Sequence, residues 1–158
     1  GLRSSYLRFF IADLAASFGV RGRDVLAKSK CLSADVNAAF DPTFPDVFEK
    51  NNSALLNGGV CVTKYTGSRG KSGTSDASAE FVGEIRALLD KNGVIWQTGE
   101  LGKIDIGGGG TVAAYIANLD VDTIDLGVPV LSMHAPFEIT AKTDIYAAYL
   151  AFAAFINA

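Results

Sequence analysis

A single histidine, His134, stands in the stretch VPVLSMHAPFEIT, residues 128–140, where an apolar run from Val128 to Met133 breaks ahead of Pro136. Imidazole titrates near neutral pH and, when neutral, binds divalent metals. Far earlier in the chain, Asp35 ends another apolar run in CLSADVNAAF. In a parallel sheet two strand ends lie on one edge, where α/β proteins build their sites. Carboxylate oxygen and imidazole nitrogen together suit zinc. A hydrolytic zinc site needs at least three protein ligands. The chain has no second histidine and no His-Glu-x-x-His pair, so Asp35 and His134 form an incomplete set on their own. Taken singly, each also fits a structural role, as a turn aspartate bonding its own backbone and a satisfied core histidine.

The other conspicuous stretch is GGGGT, residues 107–111. Four consecutive glycines exceed what a tight turn requires. Their N–H groups, followed by a helix start, could receive a carboxylate, a phosphate or a peptide backbone. The dinucleotide pattern GxGxxG fails, because its third glycine falls on Val112. A phosphate-loop reading of YTGSRGKSG, residues 65–73, fails as well, because Tyr65 occupies the position of the first glycine. No GxSxG elbow supports a serine hydrolase. Cys31 and Cys61 lie in apolar runs without a CxxC partner, which predicts two reduced, buried thiols in a reducing compartment and no zinc-thiolate site.

These residues need elements to place them. Helical spacing of Leu7, Ile11 and Leu14 predicts a helix over 4–17, ended by Gly19. Residues 25–34 read as a strand leading into Asp35, and GVCVTKY, 59–65, as another. ASAEFVGEIRALLDK, 77–91, is the clearest amphipathic helix, with Phe81, Ile85, Leu88 and Leu89 on one face and Asn92-Gly93 at its end. VIWQTG is a short strand. IDIGGGGTVAAYIANL is expected to pass from strand through glycine into helix. VDTIDLGVPVLSMH reads as a strand, apolar without a break from Val128 and so buried on both faces. TDIYAAYLAFAAFI reads as a final helix, apolar nearly all round and packed on more than one side. The order predicts an α/β fold: a three-layer sandwich with a mixed, mostly parallel sheet flanked by helices.

The 158 residues are 49% hydrophobic and carry a formal net charge of −3. That suffices for one domain with a proper core. No basic face argues for nucleic acid. The longest apolar stretch is too short to span a bilayer, and no signal peptide is evident. A cytoplasmic protein is expected.

Four stretches occur together and in order: SADVNAAFDP (33–42), VTKYTGSRGKSGTSDASAEF (62–81), GELGKIDIGGGGTVAAYIA (99–117) and DLGVPVLSMHAPFEIT (125–140). With them the chain closely resembles the C-terminal half of the catalytic domain of bacterial zinc aminopeptidases of the aspartyl aminopeptidase / aminopeptidase I family. The resemblance implies two zinc ions held by a histidine, a bridging aspartate, a glutamate, an aspartate and a histidine, with a general-base glutamate beside the ligand glutamate. Asp35 matches the fourth ligand and His134 the fifth. Gly108, Gly109 and Gly110 match a stretch lining the substrate cleft, and Lys64 stands where relatives carry a lysine. Asp41 departs from the family, since eukaryotic members carry a histidine there. The Glu-Glu pair expected upstream has no counterpart, and the inserted dimerisation domain is absent.

Residues 1–158 are therefore expected to be a partial catalytic domain. Its partners would be a peptide substrate, the missing N-terminal part of the same enzyme, and further copies in a homo-oligomer, by resemblance a dodecamer. Alone it is expected to be inactive. A rival reading makes it a non-catalytic module that binds a small anion or peptide at the glycine turn and assembles through its last helix. Glu138, by proximity, is a candidate partner for the second ring nitrogen of His134.

Overall fold

The computed structural model describes residues 1–64, 76–103 and 106–158. The phosphate-loop near-miss at 65–73 and the start of the strand expected at Ile104 lie outside the described residues.

The elements in chain order are α1 (Tyr6–Ser17), α2 (Gly22–Leu26), β1 (Lys30–Ser33), β2 (Asn37–Ala38), β3 (Val60–Thr63), α3 (Ala79–Lys91), β4 (Trp96–Thr98), α4 (Ala113–Ala117), β5 (Asp122–Gly127), β6 (Pro129–Val130) and α5 (Lys142–Ile156), with single 3-10 turns at Pro45–Val47 and Lys50–Asn52. A four-stranded sheet runs in the order β1-β5-β3-β4. Its outer pairs are parallel and its central β5–β3 pair antiparallel. This is the α/β fold with a mixed, mostly parallel sheet that the pattern predicts.

The period of two in a strand gives the sheet two different faces. On one face Val60, Val62, Ile124 and Leu126 pack with Phe81, Ile85 and Leu89 of α3 and Ala147, Ala148 and Ala151 of α5. The intervening residues Cys61, Thr63, Thr123 and Asp125 are equally buried but turn to the other face, where α4 lies against β5. The sheet thus forms the middle of three layers.

Local chemistry explains the helix ends. Ser78 caps α3 by accepting the Phe81 N–H at 3.2 Å, and Gly93 leaves the helix at φ 63°. α5 has no capping side chain at its start. Instead Asp144, in its first turn and fully buried, accepts the N–H groups of Asn57 and Gly59 at 2.8 and 2.9 Å. That carboxylate ties α5 to the loop entering β3.

Four local expectations are corrected. The first half of 25–34 is not strand: Gly22–Leu26 is a helical turn, with Arg21 bonded to Asp24 at its start, and only Lys30–Ser33 joins the sheet. Ile106 enters the glycine run from a turn rather than a strand. The strand from Val121 is not continuous, because it changes partner after Gly127. Finally, α5 packs on one side only. Its small residues face the core, while Ile145, Tyr146 and Tyr149 are exposed.

Candidate active site

Two tandem ladders bring the functional residues together. β1 runs parallel to β5, with Ser33 opposite Asp125. Beyond a short break, β2 runs parallel to β6, with Asn37 opposite Pro129. The Asn37 N–H donates to Val128 O at 3.0 Å and the Ala39 N–H to Val130 O at 2.8 Å. Asp35 lies in the break between β1 and β2. There its carbonyl passes so close to Gly127 that a Cβ on that glycine would sit 1.7 Å from the oxygen. Only glycine fits, and this crowding is where β5 ends and the chain changes partner. Asp35 Oδ1 accepts the Val36 N–H at 2.9 Å, which holds the carboxylate at the strand end.

His134 follows β6 on a loop closed by paired bonds between Leu131 and Ile139 at 2.9 and 3.2 Å. Ser132 and His134 both have left-handed backbones, at φ 57° and 68°. For residues with a Cβ that costs about 1–3 kcal/mol each and persists only where neighbours enforce it. The enforcing bonds are visible: the Ala135 N–H donates to Ser132 O at 2.9 Å, and the His134 N–H donates to Glu138 Oε1 at 2.6 Å. Glu138 therefore orients His134 through its backbone, not through the ring nitrogen expected from proximity. The imidazole is exposed.

Asp35, His134, Gly108, Gly109 and Gly110 all line one cavity of about 440 Å³. Its apolar wall is Val36, Ala38, Val47, Phe48, Leu101 and Met133. Gly108 has φ 101°, which only glycine tolerates. At Gly109, by contrast, φ is not left-handed and an added Cβ would meet nothing within 4 Å. Glycine at that position leaves backbone open to the cavity rather than satisfying the turn. Lys64 is not brought here: it is not among the lining residues, and its ammonium pairs with Asp76.

Beneath the cavity lies a set of buried polar residues that sequence reasoning did not single out. Asp125, 5% exposed, accepts the Thr111 hydroxyl on Oδ2 at 2.7 Å. Burial pushes its carboxyl above the ordinary aspartate range. The Ser33 and Thr111 hydroxyls oppose that rise, and the charge of Asp35 adds to it. Asn37 donates to Thr63 Oγ1 at 2.8 Å. A charged residue in the apolar run VDTIDLGV is the signal that could have found Asp125.

Carboxylate and imidazole facing one cavity fit part of a zinc shell. Among the described residues no group of three His, Cys, Asp or Glu side chains could hold an ion unaided.

Known proteins align with this arrangement. The family model for "Aminopeptidase I zinc metalloprotease (M18)" matches residues 1–156. The chain is 48% identical to a probable M18 family aminopeptidase 1 of Clostridium acetobutylicum, over 99% of this chain and 35% of that protein. The crystal structure of aminopeptidase I from the same organism superposes with a TM-score of 0.91 at 49% identity, over 100% of this chain and 34% of the other. A Saccharomyces cerevisiae mApe1 dodecamer superposes with a TM-score of 0.69 at 27% identity, over 85% of this chain and 28% of the other. The chain thus spans about a third of the length of the relatives it matches.

Proposed function

The chain belongs to the aminopeptidase I zinc metalloprotease (M18) family, and we propose that residues 1–158 are the C-terminal portion of a catalytic domain that, complete, removes N-terminal residues from peptides. The observation that carries this reading is the convergence of Asp35, His134 and the glycine run on one cavity. In it Asp35 and His134 each hold one of two zinc ions. Zinc, when bound, supplies Lewis acidity toward the scissile carbonyl.

This chain's own residues do the rest of what can be assigned to it. Gly108, Gly109 and Gly110 receive the peptide main chain, and the apolar wall excludes water from it. The Leu131–Ile139 closure and the Glu138 bond aim His134. Lys64, paired with Asp76 outside this cavity, has no assigned contact. The general base and the remaining ligands lie in the part of the enzyme that precedes this one.

Apolar surface on α1 (Tyr6, Phe9, Phe10, Phe18) and on α5 (Ile145, Tyr146, Tyr149) supports contact with that preceding part and with other subunits. The dodecameric yeast relative supports a homo-oligomer, in the finer reading a dodecamer. Two free cysteines fit the cytoplasm. Among the described residues no helix is long and apolar enough to cross a membrane.

The test compares two preparations on an aminoacyl chromogenic substrate. The complete enzyme should release the N-terminal residue, lose activity to a chelator and regain it with zinc. The isolated chain, with zinc, should give no turnover. Turnover by the pure chain, or full activity of the chelated enzyme, would overturn the proposal.

A further inference from the structure

We infer that Asp125 is a positioning residue that acts through Thr111, fixing the glycine run across the cavity from Asp35. The inference rests on the aminopeptidase reading and goes beyond it, because neither residue is among the expected metal ligands or substrate contacts.

The geometry is specific. Asp125 sits near the C-terminal end of β5, in register with Ser33 of β1 on one side and Thr63 of β3 on the other. Ser33 is two residues before Asp35. The carboxylate therefore stands beside the strand that delivers Asp35 while its Oδ2 holds the Thr111 hydroxyl at 2.7 Å. Thr111 directly follows Gly110. One buried side chain thus links the carrier of the expected ligand to the end of the glycine run.

The link also lies in the partition between two cavities. Asp35, Gly110 and Thr111 line both the 440 Å³ cavity and a neighbour of about 470 Å³ bounded by Val112, Ala114, Tyr115 and Asn118. Glycines have little intrinsic preference for one path, and at Gly109 even an added Cβ would meet no atom within 4 Å. A polyglycine wall between two openings needs an anchor. Asp125 is the charged acceptor that supplies one, and bonds to a charged group are shorter and stronger than neutral ones.

Burying this carboxylate is costly for the fold. Its Oδ1 is buried with only the Ser33 hydroxyl beside it. A residue retained only for stability would be apolar here, like Ile124 and Leu126 beside it.

Because the run receives the main chain before and during reaction alike, loosening it should weaken binding more than chemistry. The test is on Thr111, a half-buried loop residue, since removing Asp125 risks unfolding. In the complete enzyme, Thr111→Val keeps the shape and deletes the hydroxyl. It should raise KM about tenfold while kcat stays within about threefold, the size expected for one charged hydrogen bond. Zinc content should match wild type and Tm should shift by only a few degrees. Thr111→Ser, which keeps the hydroxyl, should recover most of the loss. An unchanged KM in Thr111→Val, or Thr111→Ser as impaired as Thr111→Val, would overturn the inference. A wild-type enzyme that releases no N-terminal residue from any aminoacyl substrate takes down the underlying reading, and this inference with it; an active wild type with an unchanged KM in Thr111→Val sinks this inference alone.

Discussion

The two faces of β5 are buried to the same degree and composed in opposite ways. Ile124 and Leu126 point into the apolar layer of α3 and α5, while Thr123 and Asp125 point toward α4 and the glycine run. The first face is what a fold needs: branched apolar side chains closing on Phe81, Ile85 and Leu89. The second carries hydroxyls and a carboxylate, Thr123 and Asp125, with Ser33 of β1 and Thr63 of β3 buried beside Asp125. Burying polar groups costs about 1–3 kcal/mol each where they go unpaired. A strand with two such different faces divides its work, with one face holding the sheet together and the other holding the site.

The sharpest way to break this contrast is to cut each face in turn. Leu126→Ala should destabilise the protein by about 3–5 kcal/mol, since the side chain is fully buried and its neighbours cannot all collapse into the space. Thr111→Val, on the other face, should cost less, about 1.5–2 kcal/mol, in line with one hydrogen bond to a charged group. Urea denaturation of the two variants measures both. Similar losses would erase the distinction.

Asp144 offers the next largest effect, because it is a buried carboxylate on the structural side that is fully satisfied. Asp144→Ala strands the N–H groups of Asn57 and Gly59. A loss of about 2–4 kcal/mol is expected, for one buried and one part-buried donor left without an acceptor. A loss below about 1 kcal/mol would show that α5 does not depend on this tie.

Asp125 also makes stability depend on pH. Asp125 has its pKa raised on folding. Between the ordinary aspartate value and that raised value, the folded state binds more protons than the unfolded one. Stability on this account is therefore full at low pH and falls as pH rises through the window. Replacing Asp125 with Asn should flatten that part of the stability–pH curve. The smallest effect concerns the thiols. Burial pushes Cys61 up to about 12, whereas Cys31 is only half-buried. An alkylating agent should label Cys31 well before Cys61. Equal labelling rates would mean that the site face of β3 opens readily.

Where the sequence speaks through periodicity, it is legible. α3 shows helical spacing and an Asn-Gly stop, and both appear as expected, with Ser78 capping its start. α1 has the same spacing but buries only Ala15, leaving Tyr6 and Phe18 about three-quarters exposed, at 74% and 76%. Periodicity tells which face is apolar, not whether this chain supplies its cover. The run 25–34 reads as strand, yet Val25 and Leu26 end the helical turn Gly22–Leu26 and only Lys30–Ser33 joins the sheet, because so short an apolar run carries too little period to tell the two apart. Asp35 and His134 were legible as chemistry, but their meeting depends on the two tandem ladders and on a contact at Gly127 that no spacing reveals. Lys64 is legible by resemblance alone, and its partner, Asp76, lies twelve residues away in the sequence. Asp125 and Thr111 stayed hidden because their link joins a strand to a loop.

If Asp35 and His134 hold zinc at the cavity they share with the glycine run, anomalous diffraction at the zinc edge, from crystals of the complete enzyme, should show zinc peaks about 2.0–2.2 Å from an Asp35 carboxylate oxygen and from a ring nitrogen of His134. Zinc bound elsewhere in an active enzyme, with both side chains clear of it, would contradict that reading.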